Sequence, residues 1–278
     1  MANPLTLAYS PCPNDTFIFA AWTNGLIEGA PPVRAVLEDV ENLNNSALKA
    51  DYQLTKVSYG AIPMLMDDYR ILRAGGALGR GCGPLLISRP GEGSKIEDFC
   101  DKIVAIPGEM TTAFMLLRLA MGIRPQTLMM RFDQIVDAVA AGVADAGLII
   151  HESRFTYKQH GLEQVADLGE WWESETGLPI PLGAILARND LDDELIASVS
   201  DSIHKSLQIA RTDESKVIRY IRAHATEMSE DVMRRHIATY VTDFTDDVGE
   251  EGERAVRELF ARAHAAHILP EAPEPVFV

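Results

Sequence analysis

An imidazole where a buried strand meets a crevice is a candidate proton acceptor, and the chain offers one at His151. The run Ala146-Gly147-Leu148-Ile149-Ile150 is apolar enough for a buried strand, and His151-Glu152-Ser153-Arg154 makes its exit polar at once. Polar exits from parallel strands line the ligand crevice of α/β folds. A neutral imidazole with its ordinary pKa of about 6.5 takes up a proton near neutral pH. The plain alternative is a structural histidine satisfied by its neighbours. The other six histidines, His160, His204, His224, His236, His264 and His267, fall in helical or loop stretches and are expected on solvated faces.

Three other junctions offer hydrogen-bond donors. Asn14-Asp15-Thr16 follows a strand-like run through Pro11-Cys12-Pro13, Ser58-Tyr59-Gly60 follows Thr55-Lys56-Val57, and Thr111-Thr112-Ala113 follows a run at 103–106 through Pro107-Gly108. A helix N-terminus leaves backbone N–H groups unpaired and carries partial positive charge, so it holds a carboxylate without help from Lys or Arg. Asn, Asp, Ser and Thr are also the preferred N-caps, so any one of these sites alone reads as plain capping. Three of them after three strands point to a pocket. The first and third echo each other: strand, proline turn, small polar residues, then a helix ending near Gly25 or Gly122.

Several motifs fail on spacing. His151-Glu152-Ser153-Arg154-Phe155 has Phe155 where a helical zinc site needs its second histidine, so no metal is expected. The glycine-dense run from Gly75 to Gly83 precedes a strand instead of joining a strand to a helix, so it is read as a pliable loop at the cleft mouth and not as a dinucleotide fingerprint. Cys12 has no His or basic residue beside it in sequence and is read as small buried packing. Trp171-Trp172 and the stiff Pro179-Ile180-Pro181 segment fit an aromatic ligand wall or ordinary core equally well.

The elements that must position these groups alternate short apolar runs with helical periodicity, which predicts an α/β architecture with mostly parallel sheet. Strands are expected at 5–9, 33–38, 55–58, 85–88, 103–106, 147–150 and 184–187, and helices at 192–210, 215–225, 230–241 (capped by Ser229) and 249–266. The runs at 85–88 and 184–187 read as two hinge strands between domains. Residues 1–89 and 184–278 would form a larger discontinuous domain, with 90–183 as a smaller inserted one.

With 278 residues and 47% hydrophobic content, the chain is large enough for two such cores. Its 25 basic and 41 acidic residues give a formal charge of −16, which repels phosphate backbones and anionic membranes. Nucleic acid and membrane are not expected partners, and an anionic small molecule needs a local donor cluster. The three cysteines match neither a disulfide framework nor a metal pattern. The first residues have no basic n-region and no sustained apolar stretch, so a cytoplasmic location is expected.

Seven segments together resemble the 1,4-dihydroxy-6-naphthoate synthase family of the futalosine route to menaquinone, over nearly the whole length. They are Ser10-Pro11-Cys12-Pro13-Asn14-Asp15-Thr16-Phe17-Ile18-Phe19, Leu37-Glu38-Asp39-Val40-Glu41, Thr55-Lys56-Val57-Ser58-Tyr59, Gly75-Gly76-Ala77-Leu78-Gly79-Arg80-Gly81, the stretch 147–157 around His151, Leu182-Gly183-Ala184-Ile185-Leu186-Ala187-Arg188, and the stretch 247–256. The resemblance implies a type II periplasmic-binding-protein-like fold without export, two α/β domains joined by two hinge strands, and a lyase with no redox cofactor. It implies cleavage of cyclic de-hypoxanthine futalosine to 1,4-dihydroxy-6-naphthoate with loss of a sugar-derived fragment. The family's proton acceptor falls on His151 and its substrate-contacting segments on Lys56, Val57, Ser58, Thr112 and Ala113. Asn14, Asp15 and Thr111 at the helix starts, with Ile150 and Leu182 in the matched segments, complete the expected contacts. A cytoplasmic solute-binding module and the chorismate dehydratase of the same pathway are the alternatives.

Overall fold

Helix starts and stops follow local chemistry. In chain order the helices are α1 (Pro13–Thr23), α2 (Val40–Ala47), α3 (Thr112–Met121), α4 (Ile135–Ala140), α5 (Ser153–Thr156), α6 (Leu168–Thr176), α7 (Asp193–Thr212), α8 (Ile218–His224), α9 (Glu230–Tyr240), α10 (Asp243–Asp246) and α11 (Gly249–Ala265). Proline opens α1, where its missing N–H costs nothing. The side chains of Thr111, Asp192 and Ser229 accept backbone N–H groups from the first turns of α3, α7 and α9. Gly122 and Gly177 end α3 and α6 in the left-handed conformation that glycine tolerates.

The structure, a computed structural model, describes residues 3–225 and 229–278. Its strands are β1 (Leu5–Tyr9), β2 (Val33–Leu37), β3 (Leu54–Ser58), β4 (Tyr69–Ile71), β5 (Ala77–Gly79), β6 (Leu85–Ser88), β7 (Ile103–Ile106), β8 (Gln126–Met129), β9 (Ala146–Ile149), β10 (Glu163–Asp167) and β11 (Ile180–Arg188). They form two sheets, ordered β2-β1-β3-β11-β4 with β5 also on β11, and β10-β6-β9-β7-β8.

Both sheets are mixed, which corrects the expectation of a mostly parallel sheet. β1 runs parallel to β2 and β3, and β7 parallel to β8 and β9, as strand-helix-strand units require. β11 enters the first sheet from the second and lies antiparallel to β3, Ala184 opposite Val57. β6 enters the second sheet in the same way, antiparallel to β9 and β10. Each expected hinge strand therefore sits inside one sheet. The passages between sheets are residues 80–84 and 177–179, flanked by the paired ends of β5 and β11, Gly79 opposite Ile180. Gly83 shows how tight the passage is: a Cβ there would stand 2.1 Å from the Gly169 backbone nitrogen.

Aliphatic and aromatic side chains fill the layers between sheets and helices. Leu7 and Tyr9 of β1 pack with Phe19 of α1 and Ile203 and Leu207 of α7. A second cluster runs from Val57 and Leu186 through Leu86 and Phe114 to Trp172 and Phe260, so it backs both sheets. Fully burying one such side chain contributes about 1.5–3 kcal/mol. Trp172 is fully buried and donates its indole N–H to Pro179 O at 3.0 Å, which makes it core and not a ligand wall. Among the described residues no helix is long and apolar enough to cross a membrane.

Candidate active site

The carboxyl ends of β1, β3, β7 and β9 converge on one cleft between the sheets. At the β1 end, the turn Ser10-Pro11-Cys12 leads into α1, and Asp15 lies in that helix's first turn. Asp15 accepts from the Ser10 hydroxyl at 2.8 Å, from Asn14 Nδ2 at 2.8 Å and from Lys56 Nζ of β3 at 2.8 Å. The Lys56 and Asp15 side chains are only 7% and 2% exposed, so this is a buried ion pair in the cleft wall. α1 thus meets the cleft with its own carboxylate already in place.

At the β7 end, α3 has no acidic residue in its first turn. Thr111 Oγ1 accepts from Phe114 N at 3.2 Å and donates to Gly108 O at 2.8 Å, so its hydroxyl is a cap, the alternative weighed for it from sequence. The Thr112 hydroxyl is also committed. It donates to Leu182 O at 2.7 Å and accepts from Gly60 N at 3.0 Å, tying the second sheet's unit to the first. A Cβ on Gly60 would lie 2.9 Å from Met110 O, so glycine permits that approach. What α3 offers a ligand is the pair of first-turn N–H groups of Thr112 and Ala113, which have no acceptor within the helix. Ser58 adds a hydroxyl: its backbone N–H donates to Asn44 Oδ1 at 2.9 Å and its oxygen accepts from Asn44 Nδ2 at 3.3 Å, leaving its proton to give.

His151 follows β9 by two residues and holds a left-handed φ of 56°, a conformation histidine adopts more readily than bulkier residues. Phe132 meets the ring edge-on at 4.8 Å and His236 lies roughly parallel at 6.2 Å. Nδ1 is 3.4 Å from Cys12 Sγ. The ring keeps part of its surface toward the cleft yet is densely enclosed elsewhere. Burial, with a smaller contribution from the Lys56 charge and against the pull of Asp15, pushes its pKa down to about 4. The ordinary value expected from sequence is thus corrected: in this closed cleft the imidazole is neutral at pH 7. Burial pushes the neighbouring Glu152 carboxyl up to about 7.

All eleven residues expected at the site line this one cavity: Asn14, Asp15, Lys56, Val57, Ser58, Thr111, Thr112, Ala113, Ile150, His151 and Leu182. Ser10, Val40, Ala77, Cys82, Pro84, Gly183 and Tyr240 complete the lining. The glycine-dense run does reach the cleft, but as strand β5 and a passage exposed at Arg80 and Gly81 and buried at Cys82 and Gly83. One side chain behind the lining contradicts its sequence reading. His236 is fully buried, not solvated, and neither ring nitrogen has a partner among the described residues. Its spacing from Met233 and Tyr240 along α9 was the available signal. Cys12 is buried as expected, and the histidine absent from its sequence neighbourhood is brought to it from 139 residues away. The described residues contain no group of three or more His, Cys, Asp or Glu side chains placed to hold a metal ion.

The cavity measures about 90 Å³. That is below the roughly 150 Å³ that holds a benzene ring in an engineered apolar cavity, so a two-ring ligand enters only if the sheets part.

Comparison with known proteins fits this architecture. The menaquinone-biosynthesis family profile matches residues 5–265. The 1,4-dihydroxy-6-naphthoate synthase of Thermus thermophilus is 51% identical over 275 residues, 99% of each chain. That of Streptomyces coelicolor is 43% identical, covering 97% of this chain and 96% of its own. Among solved structures, an Archaeoglobus fulgidus protein superposes with a TM-score of 0.90 at 34% identity, over 96% of this chain and 98% of that one. The alkanesulfonate-binding protein of Xanthomonas axonopodis reaches 0.74 at 15% identity, over 99% and 97%. That likeness shows a periplasmic-binding-protein-like fold. Profile and relatives agree along nearly the full length, and the chain belongs to the menaquinone-biosynthesis family that includes the 1,4-dihydroxy-6-naphthoate synthases.

Proposed function

We propose that the protein is a carbon–carbon lyase that converts cyclic de-hypoxanthine futalosine to 1,4-dihydroxy-6-naphthoate, with His151 accepting the proton whose loss starts the cleavage. The observation that carries this reading is the pairing, in one cavity, of a neutral imidazole with an acid-free helix N-terminus. The naphthoate carboxylate sits at the start of α3, held by the Thr112 and Ala113 N–H groups and the Ser58 hydroxyl. That places the hydroxylated, sugar-derived part toward Asn14, Asp15 and Lys56. His151 removes the proton, and formation of the aromatic ring drives release. Closure keeps water from the intermediate and strengthens each polar contact.

The same reading makes the cleft a moving one. Residues 3–84 with 180–278 rock against 85–179 about the passages at 80–84 and 177–179, since a cavity of about 90 Å³ does not admit the ligand as it stands. Small-angle scattering of the free protein and of the protein saturated with product reads this motion. Identical profiles count against it.

Incubating the purified protein with the cyclic substrate and following the naphthoate by mass spectrometry tests the activity. Folded protein that yields none removes the proposal. A solute-binding module has the same fold as its second reading, and recovery of the ligand bound but unchanged would favour it.

A further inference from the structure

His151 stands on the second sheet's unit and Cys12 on the first's, so their 3.4 Å contact joins the two units across the cleft. Cys12 has almost no freedom of its own. It lies between Pro11 and Pro13 at the N-cap of α1, with φ −62° and ψ 150°, and is 4% exposed. Its N–H points to Ser10 Oγ at 3.4 Å. Burial, aided by the nearby Glu152 carboxyl, pushes the thiol pKa well up, so the sulfur stays protonated and is no nucleophile.

A neutral imidazole carries a single proton, and only the nitrogen without it accepts another. The rest of the surroundings does not choose between the two nitrogens. Phe132 and His236 contact the ring as aromatic partners, and the His236 nitrogens make no hydrogen bond among the described residues. Asp15, Lys56 and Glu152, with Cys82 and Tyr240 of the lining, are the other ionisable groups around the site, and none makes a hydrogen bond to the ring. Among the described residues Cys12 alone meets a ring nitrogen.

We propose that Cys12 is a positioning residue for His151: its sulfur accepts the Nδ1–H, which turns the Nε2 lone pair to the ligand, and it does so only when the cleft has closed. The proposal rests on His151 being the proton acceptor. When Nε2 takes the ligand's proton, Nδ1–H stays on the sulfur and the positive charge rests on the imidazolium, so no proton passes through Cys12. In the open cleft the ring loses this partner and both tautomers are available. A base with the right nitrogen exposed is then assembled by the same movement that excludes water.

The experiment uses the full chain with ¹⁵N-labelled histidine, unliganded and saturated with 1,4-dihydroxy-6-naphthoate, in the parent, Cys12→Ala and Cys12→Ser proteins. The ¹⁵N shifts of His151, assigned by their absence in His151→Asn, should show protonated Nδ1 and bare Nε2 in the parent and in Cys12→Ser, whose hydroxyl also accepts. Cys12→Ala should show a mixture. Turnover should fall about 3- to 10-fold in Cys12→Ala, as expected for one ordinary hydrogen bond, with KM unchanged and most of the rate kept in Cys12→Ser. An unchanged tautomer in Cys12→Ala, or bare Nδ1 in the parent, overturns the proposal. So does an equal loss of rate in the Ala and Ser variants, which marks packing alone. Should His151→Asn keep full turnover, the base reading fails by itself, and the nitrogen spectra still decide whether Cys12 sets the ring.

Discussion

The turn into α1 and the turn into α3 share a pattern and have opposite chemistry. Both follow a parallel strand, both pass through proline, and both begin a helix at the cleft with small polar residues. The start of α1 is filled by Asp15, which is buried against Lys56. The start of α3 is capped by Thr111 and keeps two N–H groups without an intrahelical acceptor. Under the proposed function a ligand carboxylate is to be bound at the second, where no acidic side chain competes for the N–H groups. A repeated motif therefore gives an asymmetric cleft, and one acidic residue decides which end is which.

The largest test addresses the group between the two junctions. His151→Asn keeps a polar side chain without the proton acceptor, and turnover should drop by about 10²- to 10⁴-fold with KM little changed. In the parent, the rate at saturating substrate should rise with pH as the base loses its proton. Because burial holds the closed-cleft pKa down to about 4, that limb should lie near there and not near 6.5. A limb at 6.5 in the saturated rate would mean that the working cleft is wetter than this one.

Asp15→Asn removes the difference between the junctions and leaves Lys56 as a buried charge without its partner. Breaking such a pair typically costs about 3–5 kcal/mol, read here as a lower denaturant midpoint. Asp15→Asn with Lys56→Met should regain most of it. A single variant as stable as the parent would show that the pair is wetter than its exposure implies.

Ser58→Ala strikes the other junction. Losing a hydrogen bond to a charged group, about 1.5–3 kcal/mol, should lower kcat/KM by roughly 10- to 150-fold, and less for an analogue lacking the carboxylate. An equal loss for both ligands would place the carboxylate elsewhere. The smallest effect is expected at Thr112→Val. Its hydroxyl reaches across the cleft to Gly60 N and Leu182 O of the first unit, so its removal should cost closure about 1–3 kcal/mol and leave the carboxylate's contacts intact. Scattering at saturation should show a more open average for this variant.

What could be read from sequence depended on how local the cause was. β1, β7 and β9 announce themselves as apolar runs, and the N-caps at Thr111 and Ser229 are local chemistry. β5 and β10 do not, since Ala77–Gly79 lies in a glycine run and Glu163–Asp167 is mostly polar, and both exist because a long-range partner pairs them. The antiparallel sense of β6 and β11 had the same non-local origin. At the site, residues flanking strand ends were legible. Their division into caps, cross-cleft ties and free donors was not, since each hydroxyl's partner lies on another element. The contact of Cys12 with His151 was invisible for that reason, whereas the burial of His236 was legible in helical spacing and was missed.

The return of β11 also sets an order of events. Every strand of the second sheet lies between Leu85 and Asp167, but β3, paired with β1 on one side, acquires its second neighbour only when Gly183 reaches Ser58. Closing long loops is slow, so refolding should protect the amides of β7 and β9 before those of β4 and β5, which pulse-labelled hydrogen exchange would read. During synthesis, a chain that has emerged only as far as Asp167 holds all five strands of the second sheet, while the first still lacks the strand that joins β3 to β4 and β5. Until then β3 is a bare edge, and an edge of that kind is what a chaperone or a second nascent chain would meet first.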